Sequence, residues 1–64
     1  MKSYSSREVI DRLLADGWEF IAQEGSHKHY KHPAKKGKTT VPHPNKDIPI
    51  RTLKNIEQQC GLKF

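Results

Sequence analysis

The chain has one cysteine, Cys60, in 64 residues, so no disulfide can close within it, and a reducing compartment suits it. No stretch nears the roughly 20 consecutive apolar residues of a membrane span, and no basic amphipathic helix is visible, so no membrane role is expected. The start Met1-Lys2-Ser3-Tyr4 is followed by no apolar export core, and a cytoplasmic location is expected. Acids are scarce too. Seven Asp and Glu stand against 12 Lys and Arg, leaving a formal net charge of +5 and a pI near 9.6. Such a field attracts polyanions, nucleic acid first among them. There is no internal repeat and no low-complexity segment, and the length allows one small domain, residues 1–64.

The apolar residues, 33% of the chain, cluster into periodic segments, which argues against wholesale disorder. Ser5 and Glu8 have capping-box spacing, and Val9, Ile10, Leu13 and Leu14 recur at helical intervals, so a first helix is expected from Ser6 to Asp16, ended by Gly17. From Trp18 the period is two, with Trp18, Phe20 and Ala22 on one face of a strand and Glu19, Ile21 and Gln23 on the other. Glu24-Gly25-Ser26 reads as a turn into a second strand, His27 to His32. There His27, His29 and Lys31 face one way and Lys28, Tyr30 and His32 the other. A cationic turn, Pro33 to Gly37, leads to a third strand, Lys38 to Val41, closed by Pro42-His43-Pro44. Asp47 is the expected cap of a second helix, Pro49 to Gln59, whose apolar stripe is Leu53, Ile56 and Cys60 and whose stop is Gly61. The expected fold is a two-layer α+β domain of order α-β-β-β-α, a three-stranded antiparallel sheet with both helices on one face. Trp18 and Cys60 are expected in its core.

The chemistry concentrates in GSHKHYKHP, Gly25 to Pro33. Imidazoles titrate near neutrality, and Lys28, Lys31, Lys35, Lys36 and Lys38 crowd the hairpin while most acids sit on or beside the helices. That combination suits a phosphodiester. A histidine can take a proton from a ribose 2′-hydroxyl or give one to the leaving oxygen, while cations stabilise the charge growing on phosphorus. Spacing does not choose among His27, His29 and His32, and it supplies no second acid or base. A metal site using His27 and His29 with His32 or His43 is disfavoured, because thiolates and nearby carboxylates are missing and lysines repel a dication. No metal and no cofactor are expected.

The segments DGWEFIAQEGSHKHYKHP, TTVPHPNKDIP and TLKNIEQQCGL, in this order and with these separations, closely resemble the HicA (YcfA-like) family of bacterial toxins. The most specific piece is Gly25-Ser26-His27 after a strand, supported by Val41-Pro42-His43-Pro44 and Gly61-Leu62. The resemblance implies a fold similar to the double-stranded-RNA-binding domain and ribosome-independent mRNA endonuclease activity, with His27 as the single catalytic histidine. It leaves His29 and His32 as supporting or RNA-facing residues, and together with the concentration of cations on the hairpin this makes Gly25, Ser26, Lys28, His29, Lys31, Lys35, Lys36 and Lys38 the expected RNA-binding set. It also implies inhibition by a cognate HicB antitoxin that covers the active face, with any contact to DNA made only through that complex. Where relatives commonly carry glycine before the Thr-Leu of the second helix, this chain has Arg51.

Two other readings stand beside the enzyme. A non-catalytic double-stranded-RNA-binding module would need shape and phosphate contacts but not the Gly25-Ser26-His27 turn. A DNA reader is disfavoured because no helix carries a clear reading pattern; Arg51, Lys54, Asn55 and Gln58 come nearest.

Overall fold

The structure is a computed structural model and describes residues 3–64. Helix α1, Ser6–Ala15, begins at a reciprocal cap: Glu8 N–H donates to Ser5 Oγ at 3.2 Å, and Ser5 N–H donates to Glu8 Oε1 at 3.0 Å. It ends in a Schellman turn, where Trp18 N–H donates to the Leu13 carbonyl at 3.0 Å and Gly17 N–H to the Leu14 carbonyl at 3.1 Å. Gly17 has φ +102°, and a Cβ on it would stand 2.9 Å from His32 Nε2, so a larger residue there would displace that ring.

The strands are β1 (Glu19–Glu24), β2 (His27–Lys31) and β3 (Lys38–Pro42), antiparallel in the order β1-β2-β3. The expected alternation of Trp18, Phe20 and Ala22 does not hold. Trp18 belongs to the cap of α1 and is buried, and the pairing register shifts between Phe20 and Ala22, making Ile21 the extra residue of a bulge. Phe20 and Ile21 are consequently half-exposed, and β1 has no buried residue.

Gly25 and Ser26 join β1 to β2. Gly25 has φ +58° and Ser26 does not share the positive value, which fits a type II′ hairpin turn with glycine first. On β2 and β3, Lys28 pairs with Val41 and Tyr30 with Thr39 on one face, while His27 pairs with Pro42, His29 with Thr40 and Lys31 with Lys38 on the other. The first face carries Tyr30, Thr39 and Val41 into a core with Val9, Leu13, Trp18, Ile48, Leu53, Ile56 and Cys60, and both helices cover it. The second face is open. This is the α+β order and layering read from the sequence, with Trp18 and Cys60 in the core as expected.

Helix α2 spans Ile50–Cys60 and stops at Gly61, which has φ +76° and donates its N–H to the Glu57 carbonyl at 2.8 Å. Asp47 does not cap it. The helix starts three residues further on, with Pro49 at the cap position and no side-chain cap bond, while the Asp47 N–H donates to Asn45 Oδ1 at 3.0 Å in a turn of its own. The loop before α2 is tied to α1: Ser6 N–H donates to the Asn45 carbonyl at 2.8 Å, and Ile48 N–H donates to the Tyr4 carbonyl at 2.9 Å.

Lys35 closes the fold at the far end. Its Nζ donates to Asp16 Oδ2 at 2.7 Å and to the Cys60 carbonyl at 3.0 Å, joining the ends of both helices to the loop between β2 and β3. The Lys35 hydrogen bond holds the Asp16 carboxyl below its ordinary value; burial opposes this, and the Lys35 charge, the Trp18 indole and His32 add to it. A carboxylate whose folded pKa is depressed contributes stability above its unfolded pKa and loses it as pH falls through the folded one. Asp16→Asn is therefore expected to be less stable than wild type at pH 7, with the gap closing as pH drops below about 3.9. Urea melts across that range check it; a gap that stays constant into acid would contradict the linkage.

Candidate active site

The hairpin turn sets the first residue of β2 at the rim of a groove. Ser26 contributes its carbonyl, which accepts the His43 N–H at 2.6 Å and pins the turn to the end of β3. His27 then emerges on the open face opposite Pro42. From there the surface dips over the outer edge of β3 to α2, forming a groove of about 370 Å³ lined by His27, Thr40, Asn45, Thr52, Asn55 and Gln59 among others. Thr52, Asn55 and Gln59 share one stripe of α2, and Gln59 Oε1 accepts the Thr40 N–H at 3.0 Å, fixing the helix along the strand edge. The walls mix amides and hydroxyls with the apolar surfaces of Pro42, Pro49 and Ile56, so hydrogen-bonding groups that suit phosphate, sugar and base edges stand on a partly apolar floor.

Of the four histidines, three are tied into the fold. His32 Nε2 donates to the Asp16 carbonyl at 2.7 Å and its Nδ1 accepts the Ala34 N–H at 2.9 Å, with the ring edge-on to Trp18 at 5.4 Å between centroids. His43 Nδ1 bonds Ser6 Oγ at 2.8 Å, and the same Ser6 hydroxyl accepts the Asn45 N–H at 3.0 Å. His29 is buried on the open face between Thr40 Oγ1, 2.9 Å from Nδ1, and Glu24 Oε1, 3.1 Å from Nε2. His27 is exposed, and its ring has no hydrogen-bond partner among the described residues. It alone keeps both nitrogens available to a ligand. No three His, Cys, Asp or Glu side chains gather as a metal site among the described residues.

The lysines expected around this ring are dispersed. Lys31 and Lys38 lie opposite each other on the open face, about 13 Å along the strand from His27 at 3.3 Å per residue, and Lys36 is exposed in the loop beyond. Lys28 is on the opposite face, with Nζ 5.7 Å from the centre of the Phe20 ring. Lys35 is the clip to Asp16 and Cys60 already described. Near the groove, exposed Lys46, Arg51 and Lys54 adjoin its lining residues Asn45, Thr52 and Asn55. Arg51, Lys54 and Asn55 belong to the weak reading pattern expected on α2, whereas Asn45, Thr52 and Gln59 join the site only through the fold. The Thr52, Asn55, Gln59 spacing was the available signal. Burial pushes the Cys60 thiol up from its ordinary value, which keeps it protonated and inert in the core.

A family model described as the HicA toxin of bacterial toxin-antitoxin systems matches residues 6–62. The chain belongs to the HicA toxin family. The match runs from the first residue of α1 to just past the end of α2, so it takes in all five elements of the α-β-β-β-α unit described above. Membership in a toxin-antitoxin family implies an antitoxin partner. No curated protein matches the chain. No helix among the described residues of this HicA toxin is long and apolar enough to cross a membrane.

The division of the histidines has a direct consequence for stability. His32→Ala leaves the Asp16 carbonyl and Ala34 N–H without their partner and opens a hole beside Trp18, and is expected to cost about 1–3 kcal/mol. His27→Ala removes an exposed ring and is expected to stay within about 0.5 kcal/mol of wild type. Chemical denaturation of the two variants checks this, and equal losses would contradict the division.

Proposed function

We propose that this HicA toxin is an mRNA endonuclease in which His27 exchanges a proton with the RNA, and that a HicB-like antitoxin holds it inactive by covering the groove. The observation that carries the reading is the unpartnered His27 ring at the rim of a groove that also presents amides and hydroxyls, on the hairpin built by Gly25-Ser26-His27. With His27 as the reacting group, cleavage proceeds by attack of the ribose 2′-oxygen on phosphorus, leaving a 2′,3′-cyclic phosphate and a 5′-hydroxyl. Lys46, Arg51 and Lys54 flank the scissile phosphate, whereas Lys31, Lys36 and Lys38 hold the strand several nucleotides away, which explains why the cations need not touch His27. An antitoxin face of opposite charge would be steered onto this cationic surface, giving fast association that weakens with salt.

The competing reading is a non-catalytic module that grips double-stranded RNA through its phosphates. One experiment separates the two. The purified chain and its His27→Ala variant are incubated with a single-stranded RNA and with the same RNA methylated at every 2′-oxygen. Wild type is expected to cut only the unmethylated strand, and His27→Ala is expected to cut it at least about 100-fold more slowly while retaining RNA affinity. Cleavage of the methylated strand, or undiminished cleavage by the variant, would defeat the proposal.

A further inference from the structure

A proton-transfer histidine handles one end of the reaction. Ribose attack also needs a group at the other end, and the open face carries an arrangement that fits it. Glu24 Oε1, His29 and Thr40 Oγ1 stand in a line of hydrogen bonds of 3.1 and 2.9 Å, and Thr40 lines the same groove as His27. We propose that Thr40, backed by His29 and Glu24, takes the proton from the 2′-hydroxyl, and that His27 is the acid that protonates the leaving oxygen. The proposal rests on the ribonuclease reading above and assigns its two proton-transfer roles.

The direction of the hydrogen bonds supports the assignment. An ionised carboxylate can only accept, so His29 Nε2–H donates to Glu24; in the neutral ring this leaves Nδ1 bare, facing the Thr40 hydroxyl as an acceptor. A hydroxyl, an imidazole and a carboxylate in this order form the unit that draws the proton off an alcohol in nucleophilic enzymes, here with the two ring nitrogens exchanged from their usual places; a hydroxyl that gives its proton to the ring can take one from O2′ in the same step. An edge-strand threonine facing a groove needs no buried imidazole for its own solvation. The spacing also fits. His27 and Thr40 are diagonal neighbours across β2 and β3, about 7–8 Å apart, enough to hold a phosphate between them.

The step balances. As O2′ bonds to phosphorus, its proton passes to Thr40 Oγ1 while the proton of that hydroxyl passes to His29 Nδ1. The P–O5′ bond breaks, its electron pair stays on O5′, and O5′ takes the proton carried by His27. The reaction ends with His29 cationic beside the Glu24 carboxylate and His27 neutral, and exchange with water restores both.

The test uses an ordinary RNA oligonucleotide and one with sulfur in place of the scissile 5′-oxygen, whose thiolate leaves without protonation. Thr40→Val is expected to cut the ordinary RNA at least about 100-fold more slowly, with Thr40→Ser near wild type. His27→Ala is expected to recover on the sulfur substrate, and Thr40→Val is not. Glu24→Ala changes a side chain that is 82% exposed and leaves the core alone, so it carries the test if Thr40→Val fails to fold; it is expected to slow both substrates without rescue by sulfur. Wild-type rates for Thr40→Val or Glu24→Ala, or sulfur rescue of Thr40→Val in place of His27→Ala, would overturn the relay alone. A wild-type protein that cuts neither RNA would remove the ribonuclease reading and the relay with it.

Discussion

The register of β2 is the constraint on which everything else rests. In a strand whose side chains alternate, a slip of one residue would turn Tyr30 out of the core and exchange the positions of His27 and Lys28. Several interactions hold that register. The Gly25–Ser26 turn limits how β1 can return, the Ser26 carbonyl captures His43, and Tyr30 is seated under the helices beside Thr39. The bulge at Ile21 absorbs a mismatch on β1 without passing it to β2. A domain this small has little hydrophobic surplus, so a single interlocked hairpin fixes both its packing and its exposed chemistry.

With the register set, the four imidazoles divide by what surrounds them. His32 and His43 spend their nitrogens on backbone and hydroxyl groups that join α1 to the loops, and His29 is held between a threonine and a glutamate. The cationic charge divides in a similar way. Lys35 braces the helix ends, Lys28 lies over Phe20, and the remaining hairpin lysines form a patch at the opposite end of the open face from His27. A toxin built this way has an unpartnered imidazole at one end of its open face and a cationic surface at the other.

Local features of the fold were legible in the sequence. The Ser5/Glu8 cap, the stops at Gly17 and Gly61 and the hairpin glycine each depend on neighbours within a few residues, and their chemistry is visible without a fold. Features that depend on distant partners were not. The bulge at Ile21 follows from pairing with β2, and Asp47 loses its capping role because Asn45 and Tyr4 hold the loop in another course. Consecutive lysines on a strand read as one cluster, yet the pleat puts Lys28 on the opposite face and Asp16 draws Lys35 away. Periodicity could not single out His27 from His29 and His32, because the difference lies in Thr40, Glu24, Asp16 and Ala34, up to 16 residues away in the chain. The groove is less legible still, since it joins β2 and β3 to a helix whose polar stripe is unremarkable until the strand edge lies beside it.

The central claim is that His27 is the imidazole this fold leaves free for RNA. Nitrogen-15 NMR of the histidine rings tests it most directly, recorded with and without an RNA strand methylated at its 2′-oxygens so that it binds without being cut. The account requires His32 to hold a single Nε2–H tautomer that RNA does not disturb, and His27 to interconvert between tautomers and to shift when the strand is added. A His27 ring fixed in one tautomer and indifferent to RNA, with His32 or His43 responding in its place, would contradict it.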